Sequence, residues 1–235
     1  MTRYLLLWLQ APLQSWGHDS KFGRRDTLNF PTRSGVMGLL CCALGAGGEQ
    51  KELLAEFLPL KQTVISFVRS KNERKTAREP LLRDFHMVGS KYDDRDPWQT
   101  LLIPKTAEGK KAVGGGTKIT YRYYLQDAFF AVILEVPNDK AELLTQALQQ
   151  PVWDLCLGRK SCVPTDFVFR GVFESQPDAM ATALDIAKEK TLFEDFRVLE
   201  GGEHDGDEIL TLNDVPVCFG ERKVYRDRRV TLINS

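Results

Sequence analysis

YLLLWLQAPLQSWGHDSKFGRRDTLNFPTRSGVMGLLCCALG, residues 4–45, decides how the rest of the chain is read. It opens on an apolar run at 4–9, the length of a buried strand. A polar, basic loop follows, with Gln14, Trp16, Lys21, Arg24 and Arg25. Pro31-Thr32-Arg33-Ser34 then leads into Val36, Leu39, Leu40, Ala43 and Leu44 at i, i+3, i+4, i+7, i+8, the spacing of an amphipathic helix. Ser34 is the expected N-cap, its hydroxyl accepting from a free N–H of the first turn. Gly45 is the expected stop. The pattern is strand, loop, helix, and the loop is long: such connections usually take about 2–6 residues.

Downstream, 49–58 reads as a short helix ended by Pro59, and 62–68 (QTVISFV) alternates as a strand. Residues 69–120 are rich in Lys, Arg, Gly, Asp and Pro with little periodicity, and end in the alternating ITYRYYL. This segment is expected to be a long β-hairpin. Residues 127–136 (DAFFAVILEV) form a buried strand, 137–149 a helix closed by Pro151, and 165–174 a further strand. The order β-α-β-insert-β-α-β predicts an α+β fold: a ferredoxin-like, RRM-like palm with two helices on one sheet face, interrupted by a hairpin insert at about 70–125. The palm takes residues 1–175. Residues 176–235, a helix at 177–189 and short strands at 192–199, 209–212, 215–219 and 222–232, form a small β-rich C-terminal subdomain.

The formal net charge is zero, 32 basic against 32 acidic residues, but the signs are segregated. Basic clusters occupy 69–78 and 222–229, and acids crowd 194–208. Each run alone reads as a solvated face; a basic cluster can also bind a polyanion locally. The five cysteines match no disulfide framework or C-x-x-C pair, so a reducing compartment is expected. No apolar run approaches the roughly 20 residues of a membrane span. The N-terminal LLLWL is followed by Gln10, Pro12 and Gln14 rather than a cleavage site. A cytoplasmic protein without a membrane partner is the expectation.

The chemistry-bearing motifs narrow the field. Gly114–Lys118 (GGGTK) lacks P-loop spacing, and a hairpin tip is the simpler reading. His18, His86 and His204 are scattered without metal-ligand spacing, and the acidic residues around His204 read as a solvated loop, so neither metal nor cofactor is expected. No G-x-S-x-G elbow occurs. His86 beside Asp84 is a weak general-base candidate. RNA binding gathers more signals, since single strands are held by cations on phosphates and by planar side chains on bases. The first loop supplies Trp16, Phe22, Arg24, Arg25 and Arg33. The insert supplies Arg69, Lys71, Arg74, Lys75, Arg78, Arg83, His86, Lys91, Tyr92 and Trp98, and its returning arm Lys118, Tyr121, Arg122 and Tyr124. Gly158-Arg159-Lys160-Ser161 offers N–H groups and two cations, a phosphate nest. On composition, a basic surface over buried aromatics accounts for these residues equally well.

The combination QSWG at 14–17 with PTRSG at 31–35, together with LLRDFHMVG at 81–89, TYRYYLQDAFFAVIL at 120–134 and LGRKSCVPTDFVF at 157–169, closely resembles the CasD family. This family provides the Cascade subunit of type I-E CRISPR systems and belongs to the repeat-associated (RAMP) RNA-binding superfamily. The resemblance covers most of 1–175 and thins beyond. It implies a ferredoxin-like palm, a thumb-like hairpin, and a non-catalytic subunit that caps CRISPR RNA by its 5′ handle. It also implies contact with the backbone subunit and the large PAM-recognising subunit, and with target DNA through the complex. Carried to matching positions, the handle-side residues would be Gln14, Trp16, Arg24, Arg25, Thr32, Arg33 and Ser34 from the palm loop. Arg83, His86, Lys118, Tyr121 and Arg122 would come from the thumb, and Gly158, Arg159, Lys160 and Ser161 from the glycine loop. A related superfamily member cuts repeat RNA without metal, which keeps open an endoribonuclease alternative in which His86, Lys118 and Tyr121 would act.

Overall fold

The computed structural model describes residues 2–18, 23–88, 93, 95–98, 106, 108–110, 118–201, 206 and 208–235. Lys21, Phe22, Lys91, Tyr92, the 114–116 glycines and His204 with its acidic neighbours 203, 205 and 207 lie outside them. The elements are β1 (Thr2–Gln14), β2 (Arg24–Arg25), α1 (Arg33–Leu44), α2 (Lys51–Phe57), β3 (Gln62–Lys71), β4 (Arg74–Lys75), β5 (Leu82–Val88) and β6 (Lys118–Pro137). There follow α3 (Ala141–Gln149), β7 (Phe169–Phe173), α4 (Gln176–Glu189), β8 (Leu192–Glu200), β9 (Glu208–Cys218) and β10 (Val224–Asn234).

The main sheet runs β7-β1-β6-β3-β8-β10-β9, with every pairing along it antiparallel. The alternation of β1 decides the layers. Leu5, Leu7 and Leu9 point into a core shared with Val36, Leu40, Leu54, Leu144 and Leu148 of α1, α2 and α3. Leu6 and Trp8 point the other way, onto Ala179, Ala183 and Ala187 of α4. The alanines at i, i+4, i+8 form one flush stripe, which lets α4 lie close to the sheet. Both faces of this part of the sheet are therefore covered, and no open sheet face is left for stacking bases. The two palm helices, α1 and α3, share one face as expected, and α4 from the C-terminal segment covers the other.

Several boundaries move for physical reasons. The ITYRYYL and DAFFAVILEV segments are one strand, β6: its first part pairs with β5 and β2, its second with β1 and β3. Asp127, at φ 42°, marks the change of partners. The two short strands expected at 209–212 and 215–219 are one strand, β9; it lies at the sheet edge, where Pro216 costs no interior ladder bond. Asn72 and Glu73, both at positive φ, turn β3 tightly into β4. The chain then crosses to β5 through Arg78, whose guanidinium pairs with Asp195 at 2.6 Å, donates to Asn29 O at 3.0 Å and to Ser66 Oγ, and lies over the Phe130 and Phe196 rings. Arg78, counted above among RNA-binding cations, is a pin for the root of the insert.

The segregated charges meet in space. Asp195 takes Arg78, Glu194 takes Arg197 at 2.5 Å, and Glu200 takes Arg33 at 2.8 Å. Glu194, Asp195 and Glu200 of the acidic run thus supply counter-charges to half-buried and buried arginines, which a solvated face would not do.

Candidate nucleic-acid interface

The residues between β1 and α1 divide into two sets. Gln14, fully buried, donates from Nε2 to Leu9 O at 3.1 Å and Ala128 O at 2.7 Å, and accepts from Trp16 Nε1 at 3.1 Å. Trp16 is also fully buried. Its ring lies so close to Gly35 that a Cβ there would stand 2.7 Å from Cε3. Thr32, not Ser34, caps α1: its Oγ1 accepts from Gly35 N at 3.2 Å. Arg33 is 1% exposed, bound to Glu200 and to Phe57 O, while its own N–H donates to Asp214 Oδ2 at 2.7 Å. Burial pulls the Arg33 pKa below its usual value. The α1 N-terminus is thus served by Thr32 and by a carboxylate, Asp214, whose charge complements the positive end of the helix. Gln14, Trp16, Thr32 and Arg33 are buried core and cap residues, and of these Trp16 and Thr32 also line the groove beside α1. The QSWG–PTRSG signature is a packing motif.

The second set lies at the surface. β2 runs beside β6, with Arg24 opposite Tyr121 and Arg25 opposite Arg122. β5 pairs antiparallel to β6, Phe85 opposite Tyr121 and Asp84 opposite Arg122. The pleat puts alternate residues on opposite faces of this three-stranded ribbon. One face carries Arg24, Arg83, Phe85, Met87, Ile119, Tyr121 and Tyr123. Phe85 and Tyr121 rings are 5.6 Å apart, Arg83 lies 5.6 Å over Tyr121, and Arg24 lies 5.0 Å over Tyr123. Phe85 and Met87 are half exposed. Arg24 also meets Asp26 at 2.8 Å, which leaves its guanidinium edge in solvent.

The other face carries Arg25, Asp84, His86, Thr120 and Arg122, with His86 Nε2 against Asp84 Oδ2. His86 and Tyr121 therefore stand on opposite faces, and the three groups of the cleavage alternative do not converge. Lys118 pairs through its backbone with Val88; its side chain lies outside the described residues.

The 156–162 loop closes the ribbon's base. Arg159 donates to Tyr123 O at 3.3 Å and Arg25 O at 2.9 Å, and lies 4.6 Å over the Tyr124 ring. Its guanidinium ties β2, β6 and the loop together. Lys160 and Ser161 are exposed beside it. Gly158 stands at φ 95° with Ser15 O where its Cβ would be, at 1.7 Å. Its N–H already donates to Cys156 O at 3.1 Å and is not free for an anion. Gly158→Ala is expected to cost about 1–3 kcal/mol from the left-handed backbone alone, plus the displacement of Ser15. Loss of that much in urea melts, with protease nicking at 156–162, would bear this out; an unchanged midpoint would refute it.

A groove of about 410 Å³ opens beside Ser34 and Gly35, walled by Gly158, Lys223 and Tyr225. Ser34 is half-buried at its rim. Lys223 and Tyr225 were not singled out as site residues; the basic cluster at 222–229 was their only trace in sequence. Phe85, Met87 and Tyr123 were missed too, although the period of two through Arg83, Phe85 and Met87 carried the signal. Among the described residues no group of three His, Cys, Asp or Glu side chains could hold a metal. No described helix is long and apolar enough to cross a membrane.

Comparison with known proteins fits this architecture. The family model for CRISPR-associated protein (Cas_Cas5) matches residues 4–231. The chain is 30% identical over 181 residues to the CRISPR system Cascade subunit CasD of Escherichia coli (strain K12), covering 74% of this chain and 73% of that protein. It resembles a chain of a CRISPR RNA-guided surveillance complex with a TM-score of 0.68 and 27% identity, over 99% of this chain and 90% of that one. A crystal structure of a Cas protein matches with a TM-score of 0.57 and 28% identity, over 98% and 95%.

Proposed function

Because the chain belongs to the CRISPR-associated Cas5 family, we propose that it is the subunit of a Cascade surveillance complex that grips the 5′ handle of CRISPR RNA at the base of its hairpin. The observation that carries this is one small ribbon with Arg24, Arg83, Phe85, Tyr121 and Tyr123 on one face, Arg25 and Arg122 on the other, and Arg159 at its base. Arginines alternating with aromatic faces suit a polyanion whose bases are unstacked. The order β7-β1-β6-β3 with α1 and α3 on one side supports the ferredoxin-like palm, and the β5–β6 arms support a thumb at about 70–125. Residues 176–235 are read as a β-rich subdomain that continues the palm's sheet through β8. Lys160, Ser161, Ser34 and Lys223 extend the RNA path into the groove beside α1. Partners on this reading are CRISPR RNA, the backbone and large PAM-recognising subunits, and target DNA through the complex, in the cytoplasm.

Ultraviolet crosslinking of the assembled complex tests the reading. RNA-linked peptides are expected from 82–88 and 118–125; links confined to α4 or β9 would overturn it. The subunit is read as non-catalytic, because His86 and Tyr121 face apart. Repeat RNA incubated with the chain in EDTA is expected to stay intact, and a product abolished by His86→Ala would show cleavage instead.

A further inference from the structure

Away from the ribbon, the connection between α3 and β7 walls an apolar groove of about 1030 Å³. Its rim carries Val152, Trp153, Val163 and Phe167, which are 63%, 49%, 61% and 81% exposed. The connection is held in place. Val152 N donates to Ala43 O at 2.9 Å, Cys42 Sγ donates to Asp154 O at 3.3 Å, Leu157 N to Cys162 O at 2.8 Å, and Thr165 N to Gln10 O at 2.9 Å. These apolar side chains are thus displayed on an anchored backbone, and together they form a patch that soluble surfaces seldom leave uncovered.

The charges of the groove select its occupant. Lys160, Asp154 and Asp166 are its ionic groups. Asp166 is already matched by Arg170 and Lys190, each at 2.6 Å. What remains is one cation at the end nearest the 156–162 loop and one anion, Asp154, which does not suit a polyanion. Exposed Trp and Phe side chains on an apolar patch with few unmatched charges have the composition of a protein–protein interface core. We propose that this groove docks a segment of an adjacent protein subunit, with a large apolar side chain in the groove and a neighbouring lysine or arginine opposite Asp154. The inference rests on the assembly role given above and adds to it a surface outside the ribbon that meets the RNA path at Lys160.

The test uses the chain co-expressed with the other subunits of its complex and CRISPR RNA. Val163→Asp and Phe167→Asp change exposed side chains, so each isolated variant should keep the wild-type melting temperature and RNA affinity. Incorporation, read by native mass spectrometry after capture on another subunit, is expected to fall at least tenfold. Wild-type incorporation by both variants would overturn the proposal, and so would a loss of RNA affinity by the isolated variants, which would make RNA the occupant. Hydrogen exchange on the wild-type complex needs no variant: residues 151–168 should gain protection on assembly. A wild-type chain that joins the complex with 151–168 unprotected overturns the groove alone. One that joins no complex overturns the assembly role beneath it.

Discussion

Asp214→Ala is expected to destabilise the chain by about 3–5 kcal/mol, the usual cost of stripping one partner from a buried ion pair. Asp214 is 2% exposed. Its Oδ1 accepts from Arg228 Nε at 2.7 Å, and its Oδ2 from Arg228 Nη2 at 2.9 Å and from Arg33 N at 2.7 Å. Removing it leaves Arg228, itself 7% exposed, with only the 3.6 Å contact to Glu200 among the described residues, a carboxylate that Arg33 already shares. It also strips the α1 N-terminus of its carboxylate. In a domain of this size the loss should lower the melting temperature by roughly 6–20 °C. Asp214→Asn, which keeps an acceptor but not the charge, should fall between. Replacing the pair together, Asp214→Leu with Arg228→Met, should recover much of the loss, since apolar pairs of similar volume often match buried ion pairs. A melt of Asp214→Ala within 2 °C of wild type would show that the cluster carries little stability.

This cluster explains why the sequence reveals the fold more readily than the surroundings of the candidate site residues. Strand and helix periods in β1, β3, β6, α1 and α3 came from residues packing against their own neighbours, so local pattern sufficed. Arg33 lies in a basic, polar stretch ahead of a helix, and its counter-charges, Asp214 and Glu200, stand more than 160 residues away. Nothing local distinguishes a cation aimed at phosphate from one aimed at a distant carboxylate. The same ambiguity affected Arg78, whose partner is Asp195. Gln14 and Trp16 show the complementary case. They carried the family resemblance because they hold the β1–α1 junction together, and that made them poor indicators of the binding surface. Arg24, Arg25, Arg83, Tyr121 and Arg122 stand out in sequence as cations and an aromatic in polar segments, but the pairing that sets Arg24 opposite Tyr121 and Arg25 opposite Arg122 joins distant strands and came only with the tertiary structure. Arg159 was legible as a cation, but its hold on the carbonyls of Arg25 and Tyr123 came only with the tertiary structure.

The triple variant Arg24→Ala, Arg25→Ala, Arg83→Ala should separate binding from stability. None of the three is buried, so the melting temperature should move little; the Arg24–Asp26 pair is a solvent-screened surface contact that contributes little. For single strands, each neutralised phosphate contributes a slope of about −0.7 to log K against log salt. Losing three cations should flatten the slope by about 2. Near 0.1 M salt, that corresponds to roughly a 100-fold weaker hold on handle-length RNA, and the gap should close toward 1 M. Tyr121→Ala should behave differently. A stacked base is worth about 1–3 kcal/mol, so its loss should shift the whole curve down by a similar factor at every salt concentration and leave the slope intact. Lys71→Ala with Arg74→Ala, at the β3–β4 turn outside the ribbon, is the matched control for general charge and should leave both slope and offset near wild type. Equal flattening by the control pair would place the RNA on a diffuse basic surface, and a triple variant that binds at wild-type strength would remove RNA from the ribbon altogether.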